Sequence, residues 1–556
     1  MSLFEKHLNL LETAIEANQQ RGFYSAFPEH PSPKVYGETA DEDGKKAFES
    51  HIANDFIFPQ QAGSSQWVGE EVSPFTQEKL GIRYPFFEPE FLIDNAQKSF
   101  EKWASTDIET RVGLLSESLE RVSKRFFEIA YATMHTTGQG YMMAFQASGP
   151  HAADRALEAL ALSYEELTRF PSSAMWEKPM GKFNLNLKKW WKPVPKGISL
   201  VIGCSTFPTW NSVTGIYASL AAGNPVIVKP HPMAMLPIAI VIQEIQQVFA
   251  ENNIPSGVLQ FSACDEVRPL TKELAEHEAV KLIDFTGSSA FGNYLENLKG
   301  KTVFTEKAGV NSVIIDSVEN ADEVAANLAF SISLYSGQMC TAPQNIFVPA
   351  NGIKTNDGTL SFDDFAAKMV QAINGLVDNP KAGPFVLGAI QNPATLERAN
   401  NPNVSGSKVL LASKKVENPQ FPHARTASPV LLEVDASNLK AISQECFGPI
   451  AFLVKTESSD QSIKLTQTLA KEHGAISFGA YTTDEALKQS IAQRMSEAFC
   501  PVSFNLTGQI FLNQHAAFSD FHVTGGNPAG NASFTNPEYV TRRFVWVGFR
   551  EPVQSS

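Results

Sequence analysis

Between about residues 91 and 170 the apolar side chains recur near every 3.6 positions, over 91–103, 111–133 and 152–167, which predicts three amphipathic helices. Gly138-Gln139-Gly140 separates the second from the third. The rhythm then changes. From 182 to 192 apolar and polar residues alternate, the pattern of a half-buried strand, until Pro193 and Pro195 interrupt it; an edge or hairpin strand that pairs between subunits is expected there. Beyond it, short aliphatic runs at 197–202, 225–228, 258–262 and 281–285 alternate with helical periodicity at 212–222, 236–251 and 270–277. Buried strands alternating with amphipathic helices predict an α/β fold built on a doubly wound parallel sheet. A second α/β alternation runs from about 306 to 500, and the tail from 501 is rich in Asn, Gly and Phe. The first 90 residues are polar and Pro-punctuated after a short stripe of Leu8, Leu10, Leu11 and Ile15, and read as an extension packing on the body.

Composition narrows the partners. At 556 residues the chain exceeds one simple core, and 43% hydrophobic with 19% charged residues is ordinary for a folded protein. A net charge of −14 argues against nucleic acid as a partner. The 5 cysteines are scattered without a CxxC pair, so neither a disulfide framework nor a zinc ribbon is expected. The opening residues lack a basic stretch followed by an apolar one, and no apolar run reaches the roughly 18–20 residues of a membrane helix, so a cytoplasmic location with no membrane partner is expected.

The chemistry gathers around Cys340, in Ser336-Gly337-Gln338-Met339-Cys340-Thr341, with Glu306 upstream and Glu445 downstream. A thiol in a loop of small neighbours, one carboxylate able to act as a base and a second held in the tight turn Glu445-Cys446-Phe447-Gly448-Pro449 fit covalent catalysis on a carbonyl. Each residue alone also reads as a buried structural thiol or a surface charge. Gly287-Ser288 follows a strand and opens a helix, where free N–H groups and the helix dipole suit a pyrophosphate, although the spacing is not the dinucleotide fingerprint. Lys229 ends the strand 225–228, the edge at which open α/β sheets bind ligands, and reads otherwise as a solvated lysine. The 11 histidines show no metal-ligand spacing, so no metal is expected; His515 and His522, flanking Asp520, read as packing or loop hydrogen bonds.

Lys229-Pro230, Phe285-Thr286-Gly287-Ser288, Glu306 with Gly309 and Asn311, Gly337-Gln338-Met339-Cys340 and Glu445-Cys446-Phe447-Gly448-Pro449 occur in the order and rough spacing of the aldehyde dehydrogenase superfamily, which the chain resembles over about 91–545. The resemblance implies an aldehyde dehydrogenase-like fold: a Rossmann-like NAD(P)-binding domain over 91–305, interrupted by an oligomerisation hairpin near 175–192, a catalytic α/β domain over 306–500, and a segment over 501–556 with an oligomerisation strand near 540–549. It implies Cys340 as the nucleophile that passes through a thiohemiacetal and a thioester, Glu306 as the base for the deacylating water, and Glu445 on the nicotinamide ribose. Phe447 is expected beside the nicotinamide, with Lys229, Phe285, Gly287 and Ser288 around the adenosine half.

Two departures bear on that reading. Thr206, in Cys204-Ser205-Thr206-Phe207-Pro208, stands where the family carries an oxyanion-hole Asn, so Thr206 is expected to serve through altered geometry, the alternatives being another donor such as Asn211 or slow turnover. Pro232, in Lys229-Pro230-His231-Pro232, stands where NAD-preferring members often carry a Glu; without it Lys229 and His231 are expected to favour NADP over NAD. The N-terminal extension, Cys204 to Trp210, Glu306 to Asn311 and Thr524-Gly525-Gly526-Asn527-Pro528 resemble the PaaN-type branch of phenylacetate degradation, implying a CoA-linked semialdehyde as substrate. With the chain closing at Ser556, hydrolytic ring opening is expected to fall to a separate protein. The alternatives are a CoA-acylating aldehyde dehydrogenase, against which Glu306 argues, and a catalytically weakened aldehyde- or nucleotide-binding scaffold. A strand such as 182–192 needs a partner, so a homodimer or dimer of dimers is expected.

Overall fold

A computed structural model describes residues 1–523 and 525–553; Thr524 of the tail motif lies outside the described residues. The β-branched runs form two sheets. The first has five parallel strands in the order Leu259–Phe261, Val226–Lys229, Ile198–Ile202, Val280–Gly287 and Thr302–Lys307. The second has seven, in the order Lys408–Leu411, Val430–Asp435, Ile450–Thr456, Asn345–Pro349, Ser312–Ile315, Phe478–Tyr481 and Ser503–Phe504, all parallel except the antiparallel first. Helices such as Trp210–Ala221 and Leu236–Glu251 carry apolar faces wide enough to be buried almost throughout, which gives the α/β layers their core. This is the aldehyde dehydrogenase-like architecture, a Rossmann-like parallel sheet beside a second, mixed sheet.

The chain steps from one sheet to the other through Ala308 to Asn311, so the carboxyl end of Thr302–Lys307 faces the loop that precedes Asn345–Pro349. That junction holds both Glu306 and Cys340. The opening helix Leu3–Gln20, capped by Ser2 and Glu5, lies on Ile108–Ser123 and Pro150–Thr168 and adds Leu11 and Ala14 to the main core.

Three expectations need correcting. The helical run 111–133 is two helices, Ile108–Ser123 and Phe126–Thr137, and an extra helix, Tyr141–Ser148, precedes Pro150–Thr168. The interruption at Lys124-Arg125 turns the Arg125 guanidinium onto Glu128 and Glu244, an ion pairing invisible in the periodicity. The strand at 182–192 runs on through both prolines as Asn184–Pro195, and it is the central strand of an antiparallel three-stranded sheet between Ser173–Pro179 and Phe544–Pro552. Pro193 and Pro195 are tolerated because the pairing with Ser173–Pro179 ends at Trp190, leaving one side of the strand without ladder bonds to lose. The C-terminal strand begins later than 540, at Phe544, after the short helix Pro537–Thr541. Among the described residues no helix is long and apolar enough to cross a membrane.

Candidate active site

Cys340 is carried by a loop with little freedom. Helix Ala321–Ser333 ends in a tight turn whose Tyr335, Ser336 and Gly337 all have positive φ, at 53°, 49° and 64°. Three successive left-handed residues are costly, and their partners hold them: Tyr335 Oη donates to Thr137 O and Ser336 Oγ to Leu387 O. Gly337 admits no side chain, since a Cβ there would lie 2.3 Å from the Gly448 carbonyl oxygen. The cysteine loop and the Glu445-to-Pro449 turn are therefore pressed together backbone to backbone. Asn311, 3% exposed, ties the loop to the second sheet through four hydrogen bonds. Its Nδ2 donates to Cys340 O (2.7 Å) and Ala342 O (3.0 Å), and its Oδ1 accepts from the N–H groups of Ile476 (2.9 Å) and Ser477 (3.0 Å).

Glu306 sits one residue before the end of its strand, with its carboxylate buried. Oε2 accepts from Asn211 Nδ2 at 2.7 Å; Oε1 has no hydrogen-bond partner of its own and lies 3.2 Å from His522 Nε2. The same Nε2 is 3.8 Å from Cys340 Sγ, and the ligand atoms of Glu306, Cys340 and His522 all fall within 4.8 Å of one another. Burial would raise the Glu306 carboxyl, but His522, together with Cys340 and Asn211, outweighs it and holds the group below its ordinary range. Burial, followed by the Glu306 charge, pushes the Cys340 thiol well above the usual cysteine value, so the resting sulfur keeps its proton.

His522 packs on aromatic rings and approaches His515 within the tail, as the sequence reading expects, and it also stands at the junction with Glu306 and Cys340. It reaches the junction because the tail folds back: Asn531 N donates to Thr305 O, Lys307 N to Ala529 O, and Asn531 Oδ1 accepts from Thr305 N, which lays the residues after His522 along the Glu306 strand. The ring meets Trp210 edge-on (centroids 4.7 Å apart) and stacks on Phe534 (5.7 Å), the three forming one aromatic cluster, and its Nδ1 is 3.0 Å from His515 Nδ1. The wholly buried Arg155 clamps this tail, donating to the carbonyls of His515, Ala516 and Asp520. A lone histidine in a polar tail has no local signal for such a role, because its partners come from three other segments.

The remaining positions fall into two groups. Thr206 is not among the residues lining the cleft over Cys340, and its carbonyl accepts from Gln139 Nε2 at 2.8 Å; Asn211 does line that cleft. Lys229, and Phe285 with Gly287 and Ser288, lie at the carboxyl ends of two strands of the first sheet that flank Ile198–Ile202, Ser288 capping helix Ser289–Glu296. His231 follows them, its Nδ1 accepting from Met233 N, and burial, with Lys229 beside it, pushes the ring down to about 4. It is uncharged near neutral pH. Glu445 faces the same junction from the second sheet; burial pushes its carboxyl up to about 7, and Phe447, two residues on, is fixed by Arg398 Nη2 donating to its carbonyl at 2.7 Å.

A cleft of about 580 Å³ opens over Cys340. Its walls are mostly apolar, among them Met142, Phe207, Trp210, Phe330 and Phe385, and Phe23 and Tyr24 of the N-terminal extension close one side. That segment is pinned by Asp154, whose carboxylate accepts from Ser25 Oγ (2.8 Å) and Ala26 N (2.9 Å).

The chain matches the profile of the Aldehyde dehydrogenase family over residues 70–527. It is similar along its full length to a solved NAD-dependent aldehyde dehydrogenase from Burkholderia multivorans, with 44% identity, a TM-score of 0.97 and 100% of each chain covered. It is 24% identical over 493 residues to a vanillin dehydrogenase from Amycolatopsis sp., covering 86% of this chain and 94% of the relative. It is 22% identical over 511 residues to a benzaldehyde dehydrogenase [NAD(+)] from Pseudomonas putida, covering 86% and 95%. With more than half of its length matched, and with thiol, carboxylate and cleft at the junction of two α/β sheets, the chain belongs to the aldehyde dehydrogenase family.

Proposed function

We propose that this protein oxidises an aldehyde to a carboxylic acid with a nicotinamide dinucleotide, through a covalent adduct on Cys340. The observation that carries the reading is the approach of Cys340 Sγ to the buried Glu306 carboxylate at the floor of an apolar cleft. Sulfur adds to the carbonyl carbon, and water later releases the acyl group. The carboxylate, held in its charged form, suits removal of a proton from that water, and its unpartnered Oε1 is free to accept it. Asn211 Nδ2, in the cleft wall, is an amide donor for the oxyanion and competes for the role assigned to Thr206; subtraction of one such donor costs about 10²–10³ in rate.

The residues facing the first sheet fit a dinucleotide. Lys229 offers a cation at the strand ends, Ser288 and the helix it caps offer N–H groups to a pyrophosphate, and Glu445 offers a half-buried carboxyl for ribose hydroxyls. When bound, the nicotinamide supplies the hydride acceptor that takes the Cys340 adduct to a thioester. Because His231 is uncharged, an NADP preference rests on Lys229 together with the absence of a carboxylate at Pro232. Relatives of both kinds exist: an NADP-dependent glyceraldehyde-3-phosphate dehydrogenase from Streptococcus equinus is 23% identical over 437 residues, while the Burkholderia multivorans enzyme is NAD-dependent.

The apolar, aromatic-lined cleft suits a substrate arm of matching character. The finer proposal is the semialdehyde CoA thioester of phenylacetate degradation, with the acyl arm in the cleft and the polar CoA outside; a free aromatic aldehyde is the competing substrate. A panel of both, assayed with NADP and with NAD against Cys340→Ala, decides. The reading expects turnover with at least one CoA-linked semialdehyde and none in Cys340→Ala. Turnover of free aromatic aldehydes alone would remove the CoA proposal, and full activity in Cys340→Ala would remove the mechanism. Exposed Met175, Leu185 and Phe549 on the three-stranded sheet, with Phe183 in its hairpin turn, support the expected homo-oligomer.

A further inference from the structure

Burial and Glu306 hold the Cys340 thiol in its protonated form, so the nucleophile needs a proton acceptor at the moment of attack. Glu306 already has the proton of the deacylating water assigned to it. We propose that His522 is a catalytic residue, the base that takes the Cys340 proton and the acid that returns it. This rests on Cys340 being the nucleophile.

One tautomer suits this role. Burial keeps His515 neutral, so its Nδ1 can accept from a proton on His522 Nδ1 across 3.0 Å. The lone pair on His522 Nε2 is then free to face Cys340 Sγ at 3.8 Å. A proton arriving at Nε2 lands 3.2 Å from Glu306 Oε1, the buried carboxylate oxygen that otherwise has no hydrogen-bond partner. The ring is packed against Trp210 and Phe534, which the Arg155 guanidinium overlies. The charged or titratable groups around His522 are thus Cys340, Glu306 and His515, with Arg155 behind the aromatic rings.

The steps balance. The S–H bond breaks as the S–C bond forms, the proton passes to Nε2, and the carbonyl π electrons move onto oxygen. The adduct, still an oxyanion, loses hydride and becomes the thioester. Water gives a proton to Glu306 and its hydroxide adds to the thioester; the tetrahedral adduct collapses, the C–S bond breaks, and the imidazolium returns its proton to the departing sulfur. Thiol and imidazole end the cycle as they began. One proton from Glu306 and one from the acid product leave to solvent.

The test reads Cys340 itself. The full-length protein is alkylated with iodoacetamide between about pH 6 and pH 9, and the Cys340 peptide is quantified by mass spectrometry. With His522 as base, the wild-type profile is nearly flat, whereas in His522→Gln the rate is at least about tenfold slower at pH 7 and climbs about tenfold per pH unit. Glu306→Gln keeps the flat profile, which separates His522 from Glu306 and serves alone if His522→Gln does not fold. A wild-type rate that climbs about tenfold per pH unit, a flat profile in His522→Gln, or a climbing one in Glu306→Gln overturns the proposal. Alkylation is independent of turnover, so full aldehyde turnover in Cys340→Ala, which would remove the mechanism, is a separate result from failure here.

Discussion

Replacing Asn311 with Ala removes four hydrogen bonds at once and leaves the carbonyls of Cys340 and Ala342 and the N–H groups of Ile476 and Ser477 without that partner. A buried polar group left unpaired costs roughly 1–3 kcal/mol, so the two N–H donors alone set a loss of about 2–6 kcal/mol. Because Asn311 grips the carbonyl of Cys340 itself, the sulfur also loses its register, and a displacement of about 1 Å at a reacting atom is worth about a hundredfold in rate. Asn311→Asp should be no milder: one carboxylate oxygen keeps the two N–H groups, but the other then faces two carbonyl oxygens. The assay pairs urea unfolding with the pre-steady-state burst of reduced nicotinamide. Both variants should unfold at lower urea and lose most of the burst. An Asn311→Ala protein with the wild-type midpoint and a full burst would refute the claim that this amide holds the nucleophile loop.

Glu306→Gln should give a burst of about one reduced nicotinamide per site followed by turnover slowed by about 10²-fold or more, and added CoA should not restore it, which rapid-mixing absorbance checks. Burial pushes the Asp154 carboxyl from 3.8 up to about 7. Between those values the folded chain keeps a proton the unfolded chain has lost, so its contribution falls as pH rises through the window, by up to roughly 4 kcal/mol, and is constant above it. Urea midpoints of wild type and Asp154→Asn should therefore draw apart in pH dependence between about pH 4 and pH 7, and parallel curves would contradict this. Tyr24→Ala, which opens the cleft wall and breaks the ring contact with Phe518, should raise KM for bulky aromatic aldehydes roughly tenfold while leaving kcat on short aliphatic ones near wild type.

Much of the fold was legible because it is written in local periodicity. The helix expected at 236–251 is Leu236–Glu251, and the run 281–285 lies within Val280–Gly287. Periodicity failed where charge or pairing decided the outcome, at the Arg125 break and at the prolines of Asn184–Pro195. In the site, Cys340 and Glu306 stood out through their motifs, and the structure brings them together at the junction of the sheets. His522 did not stand out. Its place depends on the tail pairing with Thr302–Lys307 and on Arg155 gripping carbonyls more than 350 residues away in sequence, interactions that leave no periodic trace. Tyr24 was hidden for the same reason: a Pro-punctuated polar segment gives no hint that Asp154 draws it over the cleft.

The central claim is that the substrate's acyl group passes through sulfur 340. Glu306→Gln, mixed with a turned-over aldehyde and nicotinamide dinucleotide and quenched in acid, should show by peptide mass spectrometry an acyl adduct on the Cys340 peptide that hydroxylamine removes. No adduct, or one on Cys204, Cys264, Cys446 or Cys500 instead, would contradict the account.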